Sequence, residues 1–185
     1  SDDKTSGTVT ITFGPDGCTD SKGNVRKGTI VVTWEGGRWF REGATRAITL
    51  NNYSVNDIRI DGVRSLTNVS IGGTLTDFTV SWNVLANHEL TWPDSRTGSR
   101  LVNLSKSWHH TSTEDTYTVN NGPSTLGDFA AAGSSRNGKV YSMTILSPLV
   151  FEASCVRQNK VFLPVTGVKE LMNAETGRTV TVDFG

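Results

Sequence analysis

The fold is decided by residues 34–68, which read WEGGRWFREGATRAITLNNYSVNDIRIDGVRSLTN. This stretch begins with an aromatic, glycine-rich turn and continues as short segments in which apolar and polar residues alternate. The segments are separated by Asn51-Asn52, Asn56-Asp57 and Asp61-Gly62. Dipeptides of the last two kinds favour tight hairpin turns, and alternation with a period of two is typical of strands with one buried face. The stretch therefore predicts a series of β-hairpins.

The same alternation recurs along the chain, and no segment carries a long helical period. Residues 14–27 and the Asn137-Gly138 pair have turn chemistry, residues 161–165 have strand character, and residues 126–132 (LGDFAAA) form the one candidate helical turn. We predict an all-β, antiparallel, multi-stranded sandwich or meander with little or no helix, as one domain over residues 8–185 after a flexible segment, residues 1–7. The predicted core comprises Ile30, Val32, Trp34, Phe78, Val80, Trp82, Val102, Leu104, Trp108, Tyr141, Met143 and Ile145.

Composition excludes several classes of protein. The 185 residues contain 18 basic and 18 acidic side chains, and their charges are not clustered, which argues against a nucleic-acid partner. The apolar runs are too short to span a bilayer as helices. The sequence shows no signal peptide or lipid-attachment motif, so it is interpreted as a mature or trimmed chain. Abundant threonine and 19 glycines fit a β-protein that acts outside the cytosol.

Two cysteines, Cys18 and Cys155, lie far apart in the sequence. Neither belongs to a C-x-x-C pair with histidines at ligand spacing, so zinc is not expected. A disulfide between them would close a long loop and add about 4–5 kcal/mol in the chain-entropy model. Two buried free thiols are the alternative, and because the chain has the character of an exported protein we predict the disulfide.

Motifs for catalysis or metal binding are broken or scattered. His88-Glu89 begins an H-E-x-x-H signature, but Trp92 occupies the position of the second histidine. His109 and His110 are adjacent, so on a strand they point to opposite faces. There is no G-x-S-x-G motif, and no pair of carboxylates is singled out by spacing. We expect no catalytic residues, no metal and no cofactor.

Tryptophan is the most informative residue type. Trp34, Trp82, Trp92 and Trp108 lie in phase with apolar strand faces, which indicates core packing. Trp39 lies instead in the loop-like segment GGRWFREG. We predict that Arg38, Trp39, Phe40 and Arg41 form a binding patch; the alternative is a hairpin tip whose ring folds back onto the sheet.

Three segments together resemble a family of uncharacterised bacterial cell-envelope lipoproteins. They are GCTDSKGNVRKGTIVVTWEG (residues 17–36), ITLNNYSVNDIRIDGVRSLTN (residues 48–68) and GSSRNGKVYSMTI (residues 133–145). The resemblance implies an all-β fold, export to the cell envelope (outer membrane or periplasm) or to the extracellular space, and a lipid anchor upstream of Ser1. It supplies no activity and no binding residues.

Three functions stay open. The first is a non-catalytic, monomeric binding domain that recognises a glycan or another envelope protein through the aromatic and arginine loop. The second is a hydrolase acting on polysaccharide or peptidoglycan with a site assembled from distant residues. The third is a structural spacer. A concave pocket with converging polar groups would favour the hydrolase, and an exposed Trp39 patch would favour the binding domain.

Overall fold

A computed structural model of the protein describes residues 5–159 and 162–185, so most of the predicted flexible segment lies outside the described residues. The fold is all-β as predicted, with 66% strand and 5% helix. The eleven strands form one antiparallel sheet with hairpin connections, so the meander is the predicted arrangement that is observed. The strands are β1 (Gly7–Thr19), β2 (Val25–Glu35), β3 (Thr45–Val55), β4 (Ile58–Gly73), β5 (Phe78–Thr91), β6 (Thr97–His110), β7 (Asp115–Asn121), β8 (Ala131–Ser134), β9 (Val140–Glu152), β10 (Thr166–Asn173) and β11 (Thr179–Asp183).

Strand order follows the chain except near β8. Strands β1 to β7 pair in sequence, followed by β9, β10 and β11, while β8 pairs with both β6 and β9. Strands β7 and β8 therefore occupy one position in the sheet, end to end. The Asn121 side chain fills part of the gap between them: its amide nitrogen donates to the Ile145 carbonyl and its oxygen accepts from the Ile145 amide, both at 2.9 Å. A side chain here replaces a missing backbone pair.

Two of the predicted hairpin turns are borne out, and a third, at Asp61-Gly62, is wrong. Asn56 (φ 50°) and Asp57 (φ 62°) join β3 to β4 with the two positive φ angles of a type I′ turn, and Gly138 (φ 75°) lies in the β8–β9 hairpin. The Asp61-Gly62 pair instead lies inside β4, where glycine is needed because the Asn87 carbonyl of β5 occupies the space that a side chain would fill.

Two other predicted breaks are β-bulges. Asn51-Asn52 stays within β3, where pairing shifts between Leu50 and Tyr53 and Asn52 takes φ 48°. Residues 14–19 belong to β1, which shifts register between Phe13 and Cys18 before a turn at residues 20–24. The shift adds one residue to β3 and three to β1, and such insertions bend the ladder without ending it, so short predicted strands merge into long ones.

The predicted helical turn at residues 126–132 is also wrong. A 3₁₀ helix covers Ser124–Leu126, and Ala131 begins β8 because its backbone fills the space between β6 and β9. A short α-helix, α1 (Ala153–Asn159), was not predicted. The predicted strand at residues 161–165 begins outside the described residues, and residues 162–165 are not strand. No helix within the described chain is long and apolar enough to cross a membrane.

The sheet has an apolar inner face and a more polar outer face. On β5 the inner face carries Val80, Val84 and Ala86, which are buried, whereas Leu85 and Asn87 on the outer face are exposed. Of the predicted core residues, Val80 and Ile145 are buried and the other ten are half-buried. A single sheet has no second layer to cover it. The main buried cluster lies where β7, β8 and β9 meet and contains Val119, Ala130, Ile145, Leu149 and Phe151.

The two edges of the sheet are β1 and β11. Edge strand β1 exposes Val9 (49%) and Ile11 (45%) on its inner face. Cys18 is exposed on this strand, and Cys155 lies on α1, which contacts β7 and β9. No disulfide joins Cys18 to Cys155, so the predicted pairing is not formed. The two cysteines lie on elements six strand positions apart, which is the physical reason.

Candidate functional site: an aromatic groove

A groove of about 740 Å³ opens at one end of the inner face, between the loop of residues 36–43 and the β4–β5 hairpin. We call it the aromatic groove. Its walls are mainly apolar and come from three parts of the chain, so only folding brings them together. They are Trp39, Phe40, Ile71, Gly72, Gly73, Thr74, Leu75, Phe78 and Trp108.

The loop is held over the inner face by backbone geometry and by one buried side chain. Gly36 (φ 81°) and Gly37 (φ 92°) adopt left-handed conformations that let the chain turn after β2. Asn68 of β4 is 4% exposed and donates its side-chain amide to the Trp39 carbonyl at 3.1 Å. The Asn68 carbonyl accepts from the Gly43 amide at 2.9 Å. The loop is thus fixed to β4 at Trp39 and at Gly43.

The aromatic rings form one continuous cluster. Trp39 lies 5.8 Å from Trp108 with the ring planes tilted by 33°, and 5.6 Å from Phe40 in an edge-to-face arrangement. Trp108 meets Phe78 edge to face at 5.3 Å. Trp39 is nonetheless 42% exposed. The two interpretations of Trp39 are therefore both partly realised, since one part of the ring packs on the sheet and the other faces solvent.

The predicted binding residues do not all line the groove. Trp39 and Phe40 do, whereas Arg38 and Arg41 are exposed beside it. The Arg38 guanidinium lies 5.9 Å from the centre of the Phe40 ring, within the range of a cation–π contact. The Arg41 side chain passes over Gly37, where an added Cβ would lie 3.3 Å from its Cδ. The arginines thus flank the rings.

The opposite wall was missed by the sequence analysis. Leu75, at the tip of the β4–β5 hairpin, is 96% exposed, and Ile71 on β4 is 46% exposed. The hairpin is closed by a 2.7 Å bond from the Thr74 amide to the Asp77 carbonyl. Leu75 lies between two threonines in a turn, and nothing in that local pattern indicates proximity to Trp39.

A smaller cavity of about 140 Å³ adjoins the aromatic groove on the other side of Trp39. It is lined by Trp39, Ala44, Arg46, Leu66, Asn68 and Trp82. Arg46 and Trp82 lie on the inner face of β3 and β5. The cavity therefore extends from the aromatic cluster to Arg46 on the inner face.

Two histidines form carboxylate pairs close to the groove. His110 contacts Asp115 at 2.6 Å and packs against Phe78, while His109, on the outer face, contacts Asp77 at 2.9 Å. Within residues 5–159 and 162–185, neither imidazole ring is hydrogen-bonded to a serine or threonine hydroxyl. No group of three His, Cys, Asp or Glu in the described chain is arranged to hold a metal ion.

No family model, curated protein or solved structure matches this chain. The chemistry of the aromatic groove is thus the main guide to function.

Proposed function

We propose that the protein is a non-catalytic binding domain of an exported cell-envelope lipoprotein, and that the aromatic groove takes up apolar side chains of another envelope protein. The observation that carries the proposal is the pair of exposed walls: Leu75 is 96% exposed on one side and Trp39 is 42% exposed on the other. The export and the lipid anchor rest on the sequence resemblance alone.

Exposing aliphatic and aromatic side chains to water is unfavourable, and covering them with a partner lowers the free energy of the complex. Tryptophan and arginine are enriched among the residues that dominate protein–protein binding energy, and Arg38 flanks the rings here. The volume of about 740 Å³ can accept several side chains of a partner. On the loop side, Asn68 ties the wall to β4 through its bond to the Trp39 carbonyl. A preformed groove lowers the entropic cost of binding.

A glycan ligand is the second candidate. The part of the Trp39 ring that faces solvent could stack on a sugar, and Arg38 and Arg41 could pair with acidic groups on it. Sugars also need hydrogen-bonding groups for their hydroxyls. The Thr74 hydroxyl already accepts the Asp77 amide at 3.2 Å, and the aliphatic Leu75 adds nothing polar. The walls therefore favour a protein partner.

Substitutions on the two walls separate these candidates. Wild-type protein, Trp39→Ala and Leu75→Ser are immobilised and exposed to solubilised envelope proteins from the cells that produce the chain. Bound proteins are quantified by mass spectrometry, and the strongest is purified for affinity measurement. The matched control is Val180→Ser, which replaces another exposed aliphatic residue (63%) on β11.

A protein partner predicts that Trp39→Ala and Leu75→Ser each weaken binding at least tenfold, whereas Val180→Ser does not. A glycan ligand predicts binding on a glycan array that is lost in Trp39→Ala and kept in Leu75→Ser. Equal binding by all four proteins would exclude the aromatic groove as the site.

The hydrolase and the spacer remain alternatives with their own tests. A hydrolase predicts release of soluble fragments from peptidoglycan or polysaccharide. A spacer predicts no ligand in any of these assays.

A further inference from the structure

The inner face carries an excess of positive charge that the neutral composition conceals. In β3 to β7 the acidic residues are Asp61, Glu89 and Asp115. The strand register places Asp61 and Glu89 opposite each other on the outer face, and Asp115 on the inner face is bonded to His110. The basic residues of the inner face in these strands are Arg46, Arg64, Arg100 and Lys106. Four cations thus share this surface with one carboxylate that is already engaged.

Arg64 and Lys106 lie among apolar side chains. Arg64 on β4 is opposite Ile48 on one side and Ala86 on the other. Lys106 on β6 is opposite Trp82 and Val119. Both residues are half-buried. Placing cations among apolar neighbours costs free energy unless an opposite charge or hydrogen-bond acceptor compensates.

That compensation is missing within residues 5–159 and 162–185. The Arg64 Nε–H is buried and has no hydrogen-bond partner there. No carboxylate of the described chain forms a salt bridge with Arg64 or Lys106. The Lys106 ammonium nitrogen lies 5.4 Å from the centre of the Tyr117 ring, which is a cation–π contact. Buried donors without acceptors are uncommon in proteins and point to an absent partner.

The two cations are close enough to affect each other. Burial and the charge of Arg64 both lower the pKa of Lys106. Burial raises the pKa of Tyr117, and the charge of Arg64 acts in the opposite direction. The pKa of His88 is lowered by burial and by the charges of Arg100 and Arg64. Arg64 is thus the centre of a positive potential that extends over β5, β6 and β7.

We propose that the inner face binds an oxyanion group between Arg64 and Lys106. The chemistry fits a carboxylate, sulfate or phosphate, because a guanidinium and an ammonium together supply directed donors and positive charge. The bound group accepts from the buried Arg64 Nε–H and neutralises the repulsion between the two cations. This site is separate from the aromatic groove and does not depend on its ligand.

The test uses sodium sulfate, sodium phosphate and sodium acetate as probes. Each is titrated at millimolar concentration against the ¹⁵N-labelled protein, with sodium chloride keeping the ionic strength constant. The reporter is the Arg64 Nε–H resonance, which is assigned by its loss in Arg64→Gln. Affinity is also measured by calorimetry for Arg64→Gln, Lys106→Gln and Arg178→Gln. The last is the matched control, since Arg178 is an exposed arginine in the β10–β11 turn.

We expect at least one of the three anions to shift the Arg64 Nε–H resonance in a saturable manner. Arg64→Gln and Lys106→Gln should each weaken that anion about tenfold or more, the loss of one charge-assisted contact, whereas Arg178→Gln should not. If Arg64→Gln fails to fold, Lys106→Gln and the resonance of the wild-type protein decide the question. Absence of a saturable shift with all three anions, or equal affinity in Lys106→Gln and Arg178→Gln, would overturn the proposal. The anion that binds most tightly identifies the chemical source of the group.

Discussion

Asn68 holds Trp39 in place through the main chain: its side-chain amide donates to the Trp39 carbonyl at 3.1 Å, while its own backbone bonds both Gly43 and Ala44. The loop that forms one wall of the aromatic groove is therefore attached to β4 at several points. The Asn68 Oδ1 atom is buried without a hydrogen-bond partner in the described chain, so the contact includes an unfavourable contribution as well as a favourable one.

Replacing Asn68 by Ala should release the loop and lower the free energy of unfolding by about 1–3 kcal/mol, because a buried carbonyl acceptor loses its donor. Trypsin should then cut after Arg38 or Arg41 faster than in the wild-type protein. The control is Asn83→Ala, at a half-buried position on the outer face. Equal cleavage rates in the two variants would show that Asn68 does not fix the loop.

Replacing Trp39 by Ala should lower stability by roughly 1–2 kcal/mol, less than the loss of a fully buried aromatic, because the ring is 42% exposed but packs on Trp108 and Phe40. Urea denaturation measures this change. The loss of binding free energy for the partner should be larger than the loss in the free energy of unfolding. A loss of stability above about 3 kcal/mol would assign Trp39 to the core instead.

Replacing Asn121 by Ala should destabilise the region where β7 and β8 meet, since both bonds to the Ile145 backbone disappear. The expected cost is about 1–3 kcal/mol. Hydrogen exchange of the Ile145 amide should accelerate more than that of amides in the β1–β2 hairpin. Uniform acceleration across the sheet would mean that the Asn121 bridge has no local role.

Lys106 should make stability depend on pH in the alkaline range. The pKa of Lys106 in the folded protein is lowered from 10.5. Between the folded-state pKa and 10.5, the lysine is protonated in the unfolded chain but neutral in the folded protein. The free energy of unfolding therefore rises as pH increases through that interval. Lys106→Met should be more stable than the wild-type protein at neutral pH and should lack this rise. The comparison is made below pH 10 with chloride as the only anion. A parallel pH profile in the two proteins would contradict the assignment.

The two cysteines should both react with an alkylating reagent in unreduced protein, because neither forms a disulfide. Cys18 is exposed, whereas Cys155 is half-buried and takes part in a contact with another residue. Cys18 should therefore react first in the native state. Mass spectrometry of timed samples measures both rates. A protein mass two hydrogens below that of the reduced chain, together with no alkylation after unfolding, would show that the disulfide does form.

The periodicity of the sequence was sufficient for the fold class but not for strand lengths. Alternation at residues 78–84 and 102–108 correctly predicts strands, since side-chain period is a local property. The bulges at Asn51-Asn52 and Phe13 were interpreted as breaks, because turn-forming residues also occur where a strand bends and continues. Strand β8 was not predicted, since its four residues acquire their conformation from β6 and β9.

In the candidate site too, the sequence predicted the features that local pattern determines and missed those that depend on strand pairing. Trp39 and Phe40 were identified because their loop position left them outside the strand pattern. Leu75 and the inner-face cations were not, because their significance depends on which strands lie beside them and on what fails to pair with them. Arg64 and Lys106 are separated by more than forty residues of chain, so only the register through β5 brings their charges within reach of each other.

The order of strands also has a kinetic consequence. Strands β1 to β5 pair only with their neighbours in sequence, so each can join the preceding hairpin after closing a short loop, which favours rapid folding. The position shared by β7 and β8 is different, since β8 stays without its second partner until β9 arrives. Pulse-labelled hydrogen exchange should accordingly find the amides of β2 to β5 protected before those of β8. Refolding would then proceed from the N-terminal hairpins and finish with closure around β8.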